Sequence, residues 1–359
     1  MRGFLLLRWA CCLAAFCCLA CLPERIGTSS EGGVQAPHKT IRVGLALSHY
    51  GLGDQSFNDM LYNGFIQAYI RYEMDAVLRI AEDIPDGERD KYFSAFFESM
   101  ILKDQCNVII AGEGYQMGAA MYGLALMYTD VVFIVFEYDS QRMLPNLVKV
   151  EFAQNEGSFV AGFLAARQSK TKKVAFLGGV DLASVKDFQS GFSQGVRYGD
   201  PACVLVTEYV TRVPDFSGFN DPEKGNAIAR RLYDQGADII YSVAGGTGNG
   251  IIQAAREAGA GGERYVIGVD SDQDHMAPGL ILTSMMKNLD HAVLTLIGDH
   301  VRGELQSGTR RFTYKERGVG LSKMEYTREK FSAGFLEELY EVEEMVKNGL
   351  ITVSDTLKK

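Results

Sequence analysis

Proline is scarce in this chain of 359 residues, at 8, whereas glycine is plentiful, at 39. Few prolines leave helices and strands uninterrupted, and many glycines suit tight turns between them. Cysteine is almost missing from the body of the chain. Five of the seven fall within residues 11–21, and only Cys106 and Cys203 remain beyond them. Those two flank separate apolar runs, so a disulfide framework is not expected and both read as buried thiols. Positive charge is not in excess either. A formal net charge of −9 argues against nucleic acid or an anionic membrane surface as the main partner. There is no Walker A loop, no His-Glu-x-x-His and no cysteine pair at metal spacing, and the five histidines are scattered. Catalysis through those devices is therefore not expected, and the chain reads as a binding protein rather than an enzyme.

Long hydrophobic runs are confined to the start. Arg2 and Arg8 precede an apolar stretch from Trp9 to Leu19, too short to span a bilayer comfortably. Cys18-Leu19-Ala20-Cys21 resembles a lipobox, with small Ala20 just before Cys21. Residues 1–20 are expected to be a lipoprotein signal peptide, Cys21 the lipidated residue, and 21–40 a flexible tether without periodicity. Cleavage by an ordinary signal peptidase is the alternative. The expected location is the periplasm, anchored to a lipid bilayer through the acylated N-terminus.

From residue 41 strand and helix signals alternate. Apolar runs at 41–47, 76–81, 107–111 and 131–136 read as buried strands, with amphipathic segments at 57–73, 88–102 and 116–128 between them. After residue 152 the pattern restarts, with strand candidates at 173–177, 203–210, 238–243 and 265–269. The expected fold class is α/β, with two doubly wound parallel-sheet lobes joined by a hinge. The N-terminal lobe is expected at 41–152 plus about 283–305, and the C-terminal lobe at 153–282 plus about 320–350. Residues 281–286 read as a strand crossing between lobes.

Ligands of open parallel sheets bind beyond the carboxyl ends of strands, so the loops there deserve the closest reading. Gly51-Leu52-Gly53-Asp54-Gln55-Ser56-Phe57-Asn58 follows the first strand, with Ser56 the candidate helix cap and Phe57 and Asn58 an aromatic wall and an edge reader. Gly245 and Gly246 open a glycine-rich turn whose backbone can approach a ligand closely. Asp270 stands at the end of a strand, where a carboxylate can accept hydroxyl hydrogens from a polyol. Asp272 and Asp274 read as a solvated acidic loop. Lys287 gains a role only if its strand brings it beside Asp270. Phe219, in a loop before a helix, suits ring stacking.

Taken in order, Asp54-Gln55-Ser56-Phe57-Asn58, Asn155-Glu156-Gly157-Ser158-Phe159, Phe219-Asn220-Asp221-Pro222-Glu223-Lys224-Gly225, Ala244 to Gly250, Ile267-Gly268-Val269-Asp270 and Lys287 resemble one family. It is the basic membrane protein family of substrate-binding lipoproteins, which includes purine-nucleoside receptors of ABC transporters. The resemblance covers residues 41–350. It implies a type I periplasmic-binding-protein fold and a partner permease of an ABC importer. In nucleoside-binding members two phenylalanines sandwich the base, which carries to Phe57 and Phe219. The edge-reading Asn carries to Asn58, and the ribose-binding Asp and Lys to Asp270 and Lys287.

The departures bear on the ligand. The family usually has an Asp that reads the base where this chain has Ser48, and an Asp where it has Glu137. Loops here gain Tyr50, Tyr115 and Tyr138. Loss of a carboxylate that pairs with a base N–H removes a discriminating hydrogen bond. A larger ring with an imide edge and a polyol tail suits these changes, with Asn58 and Gln116 as mixed donors and acceptors. Riboflavin is the expected transported ligand, since the chain is also similar to the riboflavin-binding branch of the family. A purine nucleoside is the second expectation, and a flavin-retaining redox protein is a reading from another class.

Overall fold

The computed structural model describes residues 40–258 and 263–355. The expected leader, Cys21 and the tether up to residue 39 lie outside the described residues. The chain opens with β1 (Ile41–Leu47), α1 (Phe57–Arg71), β2 (Met74–Ile80), α2 (Arg89–Leu102), β3 (Val108–Ala111), α3 (Gly114–Met127), β4 (Val132–Phe136) and β5 (Leu147–Phe152). It continues through α4 (Gln154–Gln168), β6 (Lys173–Val180), α5 (Ala183–Gly199), β7 (Val204–Thr211), α6 (Pro222–Asp234), β8 (Ile239–Val243), α7 (Gly248–Ala258), β9 (Tyr265–Asp270) and β10 (Ile281–Lys287). It closes with α8 (Leu289–Arg302), β11 (Gly308–Phe312), β12 (Val319–Leu321) and α9 (Ala333–Lys347).

Two six-stranded sheets result, ordered β2-β1-β3-β4-β5-β11 and β7-β6-β8-β9-β10-β12. Apart from β12, which runs antiparallel to β10, every pairing is parallel. Each lobe therefore reverses its strand order beside its first strand, between β1 and β3 and again between β6 and β8. Central strands are predominantly apolar, as burial on both faces demands: β3 and β8 are fully buried. The α/β, two-lobed expectation holds.

Its boundaries need one correction. Residues 283–287 were expected in the N-terminal lobe, but β10 pairs with β9 and so belongs to the C-terminal sheet. Sequence pattern cannot tell which edge a buried strand joins. The chain crosses after β10, where α8 packs on α1. It crosses back between β11 and β12, having first crossed between β5 and α4. Helix α9 starts at Ala333, where the Ser332 side chain caps it by accepting from the Phe335 N–H. Cys106 and Cys203 fall in different lobes, and neither is in a disulfide.

Helix α4 packs closely on α5. A Cβ at Gly195 would lie 1.9 Å from the Phe159 carbonyl oxygen, and one at Gly191 2.1 Å from that of Asn155. Gly191-Phe192-Ser193-Gln194-Gly195 has the letter pattern of a nucleophile elbow, Gly-x-Ser-x-Gly. It lies inside α5, not on a strand-to-helix turn, and its glycines serve this close crossing. We expect Gly195→Val to destabilise the protein by about 1–3 kcal/mol or more through backbone displacement. Gly334→Ala, where an added Cβ meets no atom within 4 Å, should leave stability unchanged in the same urea titration. Equal midpoints for the two variants would refute this account of the helix pair.

Candidate functional site

The loop after β1 is built by two aspartates. The Asp54 carboxylate accepts from the backbone N–H groups of Asn58 at 2.8 Å, Ser56 at 2.9 Å and Asp59 at 3.2 Å. The Asp59 carboxylate reaches back to the N–H groups of Gly53 at 2.8 Å and Gln55 at 2.9 Å. These bonds satisfy donors that a helix start leaves open. Ser56, expected to be the cap, makes no side-chain cap bond. Its hydroxyl instead donates to the Asp270 carboxylate in the other lobe, at 2.6 Å. Freed from the turn, Phe57 and Asn58 face the space between the lobes.

That space is a cleft of about 910 Å³, lined from both lobes. Of the residues expected from sequence, Tyr50, Phe57, Asn58, Tyr115, Glu137, Phe219, Gly245, Gly246, Asp270 and Lys287 line it. Ser48 and Gln116 do not, and stand behind the wall. The sequence reading missed Asp54, Glu113, Phe188 and Asn220. Phe188 carries no sequence signal of its own, because it sits at a helix position that reads as core. The rings are seated by glycines. A Cβ at Gly112 would come within 3.1 Å of Phe57, and one at Gly179 within 2.6 Å of Phe219. Phe219 is half-buried, in a short 3-10 turn, rather than fully exposed. Tyr115 reaches across to Phe216 and Phe219, with ring centroids 5.2 and 6.1 Å away. The glycine-rich turn divides its labour. Gly245 and Gly246 face the cleft, while a Cβ at Gly250 would strike the Pro222 carbonyl.

Charge is concentrated at one end. Glu137 and Asp270 terminate β4 and β9, and both adopt left-handed backbone conformations, with φ of 57° and 64°. Non-glycine residues rarely hold that conformation, and such strain gathers at functional positions. Lys287 joins them. The β9–β10 register sets Met286 opposite Asp270, so the condition for a role of Lys287 is met. Its ammonium donates to the Glu137 carboxylate and lies 5.2 Å from the Phe57 ring and 5.5 Å from that of Phe188. Lys287 is 2% exposed, and its partner Glu137 is largely buried as well. Burial pushes the Asp270 carboxyl up to about 6, against the opposing pull of Lys287 and the Ser56 hydrogen bond. Of the two aspartates read as solvated, only Asp272 is exposed; Asp274 is buried and held by Ser322 and Ser284.

A further buried carboxyl group is that of Glu113, just past β3 and 4% exposed. Ser48 Oγ donates to its Oε1 at 2.5 Å, and Gln116 Nε2 to its Oε2 at 2.6 Å. Burial raises its pKa, countered by hydrogen bonds from Ser48, Tyr115 and Gln116. This corrects the reading of Ser48. The carboxylate that its position lacks is supplied by the neighbouring strand, since β1 and β3 are paired.

Two α/β lobes with strand-end loops converging on an aromatic and polar cleft have the architecture of a solute-binding protein. Residues 42–355 match the family of ABC transporter substrate-binding proteins, PnrA-like, and the chain belongs to that family. Basic membrane protein D of Borreliella burgdorferi is 30% identical over 305 residues, covering 84% of this chain and 85% of that protein. Basic membrane protein A of Borreliella afzelii is 30% identical over 271 residues, covering 74% and 78%. Among solved structures, an ABC transporter solute-binding protein from Aeropyrum pernix superposes with a TM-score of 0.78 at 24% identity, covering 87% of this chain and 92% of that one. A periplasmic solute-binding protein from Actinobacillus succinogenes, with bound D-allose, shares the fold at a TM-score of 0.60 and 14% identity. The protein is thus the binding component of an ABC importer and not an enzyme, with a small solute and a membrane permease as its partners. No helix among the described residues is long and apolar enough to cross a membrane.

The raised Asp270 carboxyl carries a stability signature. The unfolded group ionises near 3.8 and the folded one near 6. Between those values the folded state holds a proton that the unfolded chain has lost. Stability is therefore fullest below the unfolded value and falls as pH rises through the window. Asp270→Asn should flatten that part of the profile and leave the ligand-free protein at pH 7 at least as stable as the parent. A variant with an unchanged slope between pH 4 and 7 would show that Asp270 ionises normally.

Proposed function

We propose that the cleft captures riboflavin for delivery to the permease. The observation that carries this reading is the number of aromatic rings that line the cleft beside its polar side chains. Phe57, Phe188, Phe219, Tyr115 and Tyr50 supply more ring surface than a single small base needs. A three-ring flavin uses that surface, each stacked contact adding about 0.5–1.5 kcal/mol beyond burial. Asp270 and Lys287 suit the hydroxyls of the ribityl tail, while Glu113 and Asn58 suit the imide edge.

A purine nucleoside is the second reading, and Glu113 favours it specifically. That carboxylate gives the cleft an acceptor for a base N–H, which the loss of Asp at position 48 had spoken against. Under either reading the acyl anchor at Cys21 would hold the protein at the outer face of the membrane, within reach of the permease.

Absorbance of the purified protein tests the ligand. A yellow preparation with flavin bands, or tight uptake of added riboflavin by the colourless protein, is the expected result. Indifference to riboflavin together with binding of inosine or adenosine would overturn the first reading in favour of the second. Phe57→Ala should weaken riboflavin binding tenfold or more, about 1.4 kcal/mol per tenfold, with little change in melting temperature. Undiminished affinity would mean that Phe57 is not a wall of the site.

A further inference from the structure

We infer that Glu113 is the specificity-determining residue of the cleft, and that it selects rings carrying an N–H flanked by carbonyl oxygen, an imide or a lactam. This inference rests on the proposed capture of a ring-plus-hydroxyl ligand and names the feature by which the ring is chosen.

Three observations converge on it. Glu113 lines the cleft yet is 4% exposed, so its carboxyl group meets little but protein and ligand. Its orientation is over-determined. Ser48 Oγ fixes one oxygen at 2.5 Å and Gln116 Nε2 the other at 2.6 Å, and neither donor lines the cleft itself. Ser48 and Gln116 are thus positioning residues, acting through Glu113. A carboxylate has about four lone-pair sites, and Ser48 and Gln116 fill two, leaving acceptor capacity for a further donor. The third observation lies on the same lobe. Asn58 Oδ1 is buried without a hydrogen-bond partner, and Asn58 lines the same cleft. A buried acceptor left unpaired costs about 1–3 kcal/mol, so the cleft offers a second acceptor to a ligand donor.

The chemistry follows from that polarity. A ring whose edge offers only acceptors would set lone pairs against lone pairs, and would be rejected. One with an N–H there completes the Glu113 carboxylate. Discrimination of this kind is strong, because a buried polar group is left unpaired by the wrong ligand.

The test compares each ring with its N-methylated form, which keeps the shape and removes the donor. Riboflavin against 3-methylriboflavin, and inosine against 1-methylinosine, are titrated by fluorescence or calorimetry into the parent protein, Glu113→Gln and Ser48→Ala. We expect the parent to prefer the N–H form of whichever ligand it binds by at least tenfold. Glu113→Gln should lose most of that preference, and Ser48→Ala part of it, with melting temperatures showing that both variants are folded. Equal affinity of the parent for the methylated and unmethylated forms overturns the assignment while leaving the proposed ligand intact, and needs no variant. Full retention of the preference in Glu113→Gln also overturns it. A parent that binds none of the four overturns both the proposed function and this inference.

Discussion

One buried ammonium ties the two lobes together. Lys287 ends β10 in the C-terminal sheet, yet its charge is met by Glu137 at the end of β4 in the N-terminal sheet. Both side chains are largely buried, and an uncompensated charge there would be costly. The pair therefore requires the lobes to be together, and Asp270 beside it adds a second carboxyl that burial drives toward its neutral form. Other contacts across the same gap depend on that approach. Gln55 offers its carbonyl to Ser271 at 2.5 Å and to Gln273 at 3.1 Å, and Arg89 lies over the Phe216 ring at 5.1 Å. A ligand whose hydroxyls pair with Asp270 and Lys287 lowers the cost of bringing those charges together, which couples binding to closure.

The sheets explain why such charges meet at all. Both lobes reverse strand order beside the first strand, and each reversal opens a crevice beyond the carboxyl ends of the strands. Facing the crevices turns two shallow sites into one enclosed cleft. Glu137 and Asp270 occupy the same rank in their sheets, each ending the fourth strand of its lobe, and each takes a left-handed conformation there. The two halves share architecture without visible sequence repetition, because the strand order is set by burial of apolar faces and tolerates wide substitution.

Much of this was legible in the sequence. Strands 41–47 and 173–177, and the helix at 57, are local signals: short apolar runs and an acidic turn. Ten residues taken as site candidates do line one cleft, since strand-end loops are recognisable from what precedes and follows them. What failed was non-local. Ser56 looks like a cap by position, but its hydroxyl is claimed by Asp270, 214 residues away in sequence. The strand at 281–287 carries no mark of the lobe it joins. Asp274 reads as solvent-facing because Ser322, which buries and satisfies it, lies in a distant segment.

Ser48 shows how a correct residue can support an incomplete inference. The substitution of a carboxylate by a hydroxyl at the end of β1 is plain in the sequence, and alone it implies a cleft unable to accept from a ring N–H. Adjacent parallel strands, however, deliver their carboxyl ends to the same place. Ala46 pairs with Ala111, so the residue two beyond each, Ser48 and Glu113, arrive side by side. The hydroxyl left at 48 does not abolish acceptor chemistry; it becomes the donor that aims the new carboxylate. Ligand preference must therefore be read across neighbouring strands, and Glu113, which no motif marks, carries more of it than Ser48.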